Sequence, residues 1–132
     1  MLRKISIKTK RKNEFVSITD QVNQAIKDSG LSDGLAHIYC PHTTAGITIN
    51  ENYDPSVVGD IISHLGKLVP ENAGYRHSEG NSDGHIKSSL IGSSVTVIID
   101  DTALLLGQWQ GIFFCEFDGP RNRSVWIKLV KD

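Results

Sequence analysis

The chain has 132 residues, a formal net charge of -1 at pH 7, 39% hydrophobic residues and 22% charged residues. This composition excludes a disordered or low-complexity protein, and the length suits one domain that buries its core without disulfides or a structural metal. The near-zero charge gives no bulk attraction to nucleic acid, and no run approaches the roughly 20 apolar residues of a membrane span.

In chain order, LRKISIK (2–8) and EFVSITD (14–20) read as strands. The polar TKRKN between them makes a hairpin plausible. TDQVNQAIKDSG (19–30) reads as a helix with Val22, Ala25 and Ile26 on one face, Thr19 or Asp20 as cap and Gly30 as stop. GLAHIYC (34–40) and AGITIN (45–50) follow as strands joined through PHTT. The strongest helix signal is DPSVVGDIISHLGKLV (54–69). Asp54 is placed to cap it, Pro55 suits the first helical position, and Val57, Val58, Ile61, Ile62, Leu65, Leu68 and Val69 recur at helical spacing. A polar loop leads to a short helix, GHIKSSLIG (84–92), which Asp83 is placed to cap. SVTVIID, GIFFCEF and SVWIKLV are strand patterns, with DDTALLLGQWQ as a hairpin arm after the first. This order predicts an α+β fold, a single domain over 1–132, rather than repeated βαβ units.

The first twelve residues lack the apolar core of a signal peptide, and Cys40 and Cys115 each sit in an apolar run, where thiols are usually buried and reduced. A cytoplasmic location is the expectation. The cluster KTKRK has no interleaved aromatics and reads as a solvated turn, so neither nucleic acid nor membrane is expected as a partner.

Three polar constellations carry chemistry. In CPHTTAGITINEN, His42 lies at a strand end, followed by Thr43 and Thr44. A neutral imidazole there can relay a proton or bind metal, and the hydroxyls can donate to phosphate. The bland alternative is a turn whose hydroxyls bond their own backbone. In GYRHSEGNSDGH, His77 and His85 flank Gly80, Asn81 and Asp83. A loop running into a helix start aims backbone N–H groups at an anion, and two histidines with a carboxylate suit a divalent ion. No recognised zinc spacing is present, and a solvated loop is the alternative. In GQWQGIFFCEFDGPRNR, Glu116, Asp118, Arg121 and Arg123 crowd around Gly119-Pro120 after Trp109 and Gln110. Arginine holds phosphate or carboxylate through paired hydrogen bonds, whereas salt bridges in a charged turn would be structural.

Taken together, HTTAGITINEN, EGNSDGHIKSSLIGSS and GQWQGIFFCEFDGPRNR closely resemble the YjbQ-like family, catalogued as secondary thiamine-phosphate synthases, over about Phe15 to Val130. The resemblance implies a mixed, strongly curved sheet with two main helices and one short one, and a homotrimer. It places signature polar positions at His42, Thr43, Thr44, Asn50 and Glu51, then at His77, Gly80, Asn81, Asp83 and His85, and finally at Trp109, Gln110, Glu116, Asp118, Arg121 and Arg123. Gly84 stands where the family usually has alanine and Ile98 where proline is common. The named activity joins an aminopyrimidine methyl diphosphate to a thiazole phosphate and expels pyrophosphate.

The resulting expectation is a small enzyme, a transferase acting on a phosphorylated small molecule. His42, His77, His85, Asp83 and Glu116 are its catalytic candidates, with the three histidines as ligands of zinc or magnesium. Thr43, Thr44, Gly80, Asn81, Trp109, Gln110, Asp118, Arg121 and Arg123 are the substrate-binding candidates. The alternative is a non-catalytic trimeric binding or regulatory protein that uses the same pocket for a small anion.

Overall fold

The structure, a computed structural model, describes residues 1–132. Strand β1 (Leu2–Lys8) turns Ile7 fully and Ile5 partly inward, as its alternation predicts. β2 (Glu14–Ser17) leads into helix α1 (Thr19–Ser29), then β3 (Gly34–Tyr39), β4 (Ala45–Glu51), α2 (Pro55–Leu68), α3 (Ser82–Ile91), β5 (Ser94–Asp100), the short β6 (Ala103–Leu104), β7 (Gln110–Glu116) and β8 (Asn122–Lys131). The strands form a five-stranded sheet, β1-β8-β3-β5-β6, and a three-stranded sheet, β2-β7-β4.

Every strand pair is antiparallel, which corrects the expected mixed sheet. The reason lies in the connections: α1, and then α2 with α3, each carry the chain from the small sheet to the large one. No helix returns it to a parallel neighbour in the same sheet. For the same reason β1 and β2 make no hairpin: β1 pairs with β8, and β2 with β7. The α+β class, the strongly curved sheet and the three helices stand as predicted.

The core lies between the two sheets and α1. Val22, Ala25 and Ile26 of α1 are buried against Ile38, Phe114 and Ile127. Each fully buried valine or isoleucine contributes on the order of 1.5–3 kcal/mol. Thr19 does not cap α1; its Oγ1 accepts the Ile112 N–H at 2.9 Å and ties the helix to β7, while the cap position falls to buried Ile18. Gly30 stops the helix at φ 71°. Asp54 does cap α2, accepting the Ser56 N–H at 2.9 Å. Yet α2 buries none of its own residues: Val58 and Leu65 lean on Phe113, Cys115 and Phe117 of the small sheet, while Leu68 is 64% exposed. No helix is long and apolar enough to cross a membrane.

Candidate functional site

The site forms where strand ends from both sheets meet. Glu116 ends β7, Arg123 is the second residue of β8, Thr44 precedes β4 and Thr9 follows β1. Glu116 is fully buried and Arg123 nearly so, and they pair side by side. Arg123 Nε donates to Glu116 Oε1 at 2.9 Å, and its Nη2 donates to Glu116 Oε2 and to Thr44 Oγ1, the latter at 2.8 Å. Thr9 Oγ1 donates to Glu116 Oε1 at 2.8 Å, and the Phe117 and Asp118 N–H groups donate to Oε2, both at 3.1 Å. Glu116 is therefore saturated as an acceptor. It cannot serve as the free base expected of it; it is the anchor that fixes Arg123. The guanidinium keeps its Nη1 unbonded, and Arg123 lines the cleft above.

That cleft has a volume of about 420 Å³ and no hydrophobic lining. It gathers His42, Thr43, Thr44, His77, His85 and Asn81 with Asp118, Arg121 and Arg123, so most of the predicted residues do converge. Arg121 is also held: its Nε donates to the Asp118 carbonyl at 2.8 Å and its Nη2 to Asp118 Oδ2 at 2.7 Å. Asn81 Nδ2 donates to the same Oδ2 at 2.8 Å, so Asp118 orients two neighbours at once. Both guanidinium groups are thus held in place by their own chain, an arrangement that can receive an anion without reorganising.

The histidines differ in their freedom. β3 ends at Tyr39, and Pro41 has no N–H to continue its ladder, so β8 is left open at Ser124. His42 fills that gap, with Nε2 3.0 Å from the Ser124 nitrogen and 3.1 Å from its carbonyl oxygen. Burial, and then the neighbouring Arg123 charge, push its pKa below the usual imidazole range. A neutral ring, Nε2 committed to the backbone, leaves only Nδ1 for the cleft. His77 and His85 stand edge to face with ring centroids 5.3 Å apart. His77 Nε2 lies 3.8 Å from Glu79 Oε2 at the cleft lip, whereas the His85 ring makes no hydrogen bond. No three His, Cys, Asp or Glu side chains gather around one point. The donor set therefore does not fit the resident zinc or magnesium centre expected from His42, His77 and His85, because His42 is spent on Ser124.

Four other expectations are corrected. Asp83 neither caps α3 nor reaches the cleft; Asn81 occupies the cap position, without a side-chain bond. Asp83 is 1% exposed, and its Oδ2 lies 3.0 Å from Lys12 Nζ and 4.0 Å from Lys87 Nζ. Lys12 also pairs with Glu71 at 2.7 Å, so part of the basic KTKRK cluster pins the β1–β2 loop to α3. Burial lowers the Lys87 pKa, against the opposing pull of Asp83. Gly80 is at φ 75° beside the cleft but does not line it. Trp109 and Gln110 lie elsewhere: Glu51 pairs with Gln110 at one end of β7, and Ala45 with Glu116 at the other. Those ends are about 20 Å apart in a seven-residue strand. There Trp109 packs edge to face on Tyr53 at 5.0 Å, and Gln110 Oε1 accepts the Gly107 N–H. Thr9, Lys12 and Glu79 were not singled out by the sequence, although the basic cluster KTKRK contains the first two and GYRHSEGNSDGH the third. Both cysteines are free and buried, and burial raises both thiols.

Gly84 has a packing role. A Cβ there would lie 3.0 Å from the Phe117 carbonyl oxygen and 3.4 Å from Thr44 Cβ, so the glycine brings α3 close to the cleft floor.

The chain matches the family described as UPF0047 protein YjbQ-like over residues 3–132. A UPF0047 protein of Methanocaldococcus jannaschii is 58% identical over 132 residues, covering 100% of this chain and 96% of the relative. UPF0047 protein YugU of Bacillus subtilis is 49% identical, covering 98% and 99%. Among solved structures, a protein of the same family from Clostridium acetobutylicum, described as uncharacterised, superposes with TM-score 0.96 at 53% identity, covering 97% and 99%. A YbjQ-like protein of unknown function from Sulfolobus solfataricus gives TM-score 0.96 at 29% identity, covering 100% and 97%.

Proposed function

The chain belongs to the YjbQ-like UPF0047 family, and from the geometry of its polar cleft we propose that the cleft is the active site of an enzyme acting on a phosphorylated small molecule. The observation that carries this reading is the pair of prefixed arginines facing one cleft with an unbonded imidazole. Arg121 and the free Nη1 of Arg123 bind the phosphate. Asn81, held by Asp118, and Thr43 complete the cradle. His85 is the group free to give or take a proton, with His77 beside it. The fixed charges of the lining cancel, Arg121 and Arg123 against Glu79 and Asp118. Attraction is therefore local: Asp118 is already paired with Arg121, and Glu79 lies exposed at the lip.

The finer assignment we propose is thiamine-phosphate synthesis as a secondary activity. In that reaction the thiazole nitrogen bonds to the pyrimidine methylene carbon as the bond to diphosphate breaks, and pyrophosphate leaves. Bound phosphate oxygens stabilise the leaving group where its charge grows. We further propose that the protein works as a homotrimer in the cytoplasm; the half-exposed apolar side of α2 supports the assembly.

The test is isothermal titration of the purified protein with pyrophosphate, followed by turnover of the two precursors. Wild-type protein should bind pyrophosphate, and Arg121→Ala should weaken it by roughly tenfold or more, the worth of a charge-assisted hydrogen bond. His85→Ala should keep binding and lose turnover. Turnover that survives His85→Ala removes the proton-transfer role of His85; wild-type protein that binds pyrophosphate without turnover is an anion-binding protein, and absent pyrophosphate binding removes both readings.

A further inference from the structure

The polar cleft is not the only cavity that His77 and His85 border. On their other side lies a second one, about 600 Å³, walled by Gly74, Tyr75, Arg76, Ser82 and Ile86 together with the same two imidazoles. Its chemistry differs from that of the cleft. The Tyr75 hydroxyl is already spent, donating to the Pro70 carbonyl at 2.6 Å, so the residue offers its ring rather than a polar group. Ile86 is 38% exposed and forms the apolar wall together with the Tyr75 ring. Arg76 has no carboxylate partner, and an unpaired guanidinium plane stacks well on a flat ring.

We propose that this second cavity is a subsite for the organic body of the phosphate ester whose phosphate sits in the cleft. The proposal rests on the anion-binding reading above and adds the substrate class: a monoester with a planar, largely apolar group. The two cavities meet at the edge-to-face histidine pair, whose centroids are 5.3 Å apart. A ligand spanning both would place its ester oxygen beside the unbonded His85 ring. Ile86 and Tyr75 then select the substrate, whereas the arginines recognise only its phosphate.

Titration of inorganic phosphate and of phenyl phosphate separates the two readings. For the wild-type protein, phenyl phosphate should bind roughly tenfold tighter, which burial of about two methylene-sized groups supplies. Ile86→Asn, which adds no charge beside the anion cleft, should reduce that advantage to less than about twofold while leaving phosphate affinity unchanged, since the residue does not line the cleft. Ile86→Ala, the milder change, should shrink the same advantage if the asparagine variant proves unfolded. Equal wild-type affinity for the two ligands overturns the subsite and leaves the anion site intact. So does an advantage that persists in folded variants of Ile86. Failure of inorganic phosphate to bind wild-type protein overturns the anion site and the subsite together.

Discussion

Glu116 and Arg123 show why residue type alone misassigns roles at the cleft. A glutamate near histidines looks like a base, but this one has every acceptor position occupied and no exposed surface. Its work is to hold Arg123. Glu116→Gln keeps the shape and leaves the guanidinium buried without its counter-charge. Breaking a buried pair in this way costs about 3–5 kcal/mol. We expect a drop of that size in denaturant unfolding, with loss of pyrophosphate binding in whatever protein remains folded; a change below about 1 kcal/mol, typical of an exposed pair, would contradict the role. His42 makes a pH prediction. Its folded pKa lies below the unfolded value of 6.5, so the unfolded chain binds the proton more readily as the solution acidifies. Its contribution to stability is whole above pH 6.5 and declines as pH falls from there toward the folded pKa. His42→Gln can still accept the Ser124 N–H and has no proton to take up. The denaturation midpoint of the wild type should therefore fall more steeply than that of His42→Gln between pH 7.5 and 5; parallel curves would mean that the fold does not hold His42 neutral.

At the level of elements, what was legible in the sequence was what local chemistry decides. Asp54 and Pro55 mark the start of α2 because cap and first turn lie within a few residues of one another. The alternation in SVTVIID, and the continuous apolar run in the strand that follows GQW, likewise need no distant partner. Pairing was not legible: Thr9 finds Glu116 at a separation of 107 residues, and which sheet receives β1 depends on β8. Asp83 was misread for a related reason. Next to a helix start an aspartate looks like a cap, but Lys12, 71 positions away, claims it. The loop bearing Lys12 is itself clamped against the turn that ends at Arg121, where the Gly119 N–H donates to the Lys12 carbonyl at 3.1 Å. A Cβ on Gly119 would sit 2.2 Å from the Arg11 carbonyl oxygen and 2.8 Å from Glu116 Cγ. Neither neighbour is the free end of a flexible chain, so Gly119→Ala must shift backbone. We expect about 1–3 kcal/mol of destabilisation, read as a lower melting temperature, with weaker phosphate binding because Arg121 moves with the turn. An unchanged melting temperature would show that the two loops are not clamped.

For the molecule as a whole, the candidate site was legible as three motifs, and the fold explains why only part of their content converges. The β7–β4 ladder sends Glu116 to the cleft and Gln110 to the opposite end, so one chain cannot place Trp109 over its own histidines. The spacing of apolar residues along α2 was equally plain, yet that helix buries nothing of its own in a single chain. A helix with a wide apolar stripe gains most of its stability from packing, and Leu68 at 64% exposure gains little here. A second copy of the chain is the partner that the proposed homotrimer supplies. Light scattering should therefore give three chain masses for the wild type. Leu68→Glu should shift the population toward monomer, because a carboxylate in an apolar interface must be desolvated without a partner. The same variant should leave the melting temperature of the isolated monomer nearly unchanged, since Leu68 is 64% exposed in its own chain. A wild-type monomer at high concentration would remove the trimer, and a Leu68→Glu protein that still has three chain masses would move the interface away from this end of α2.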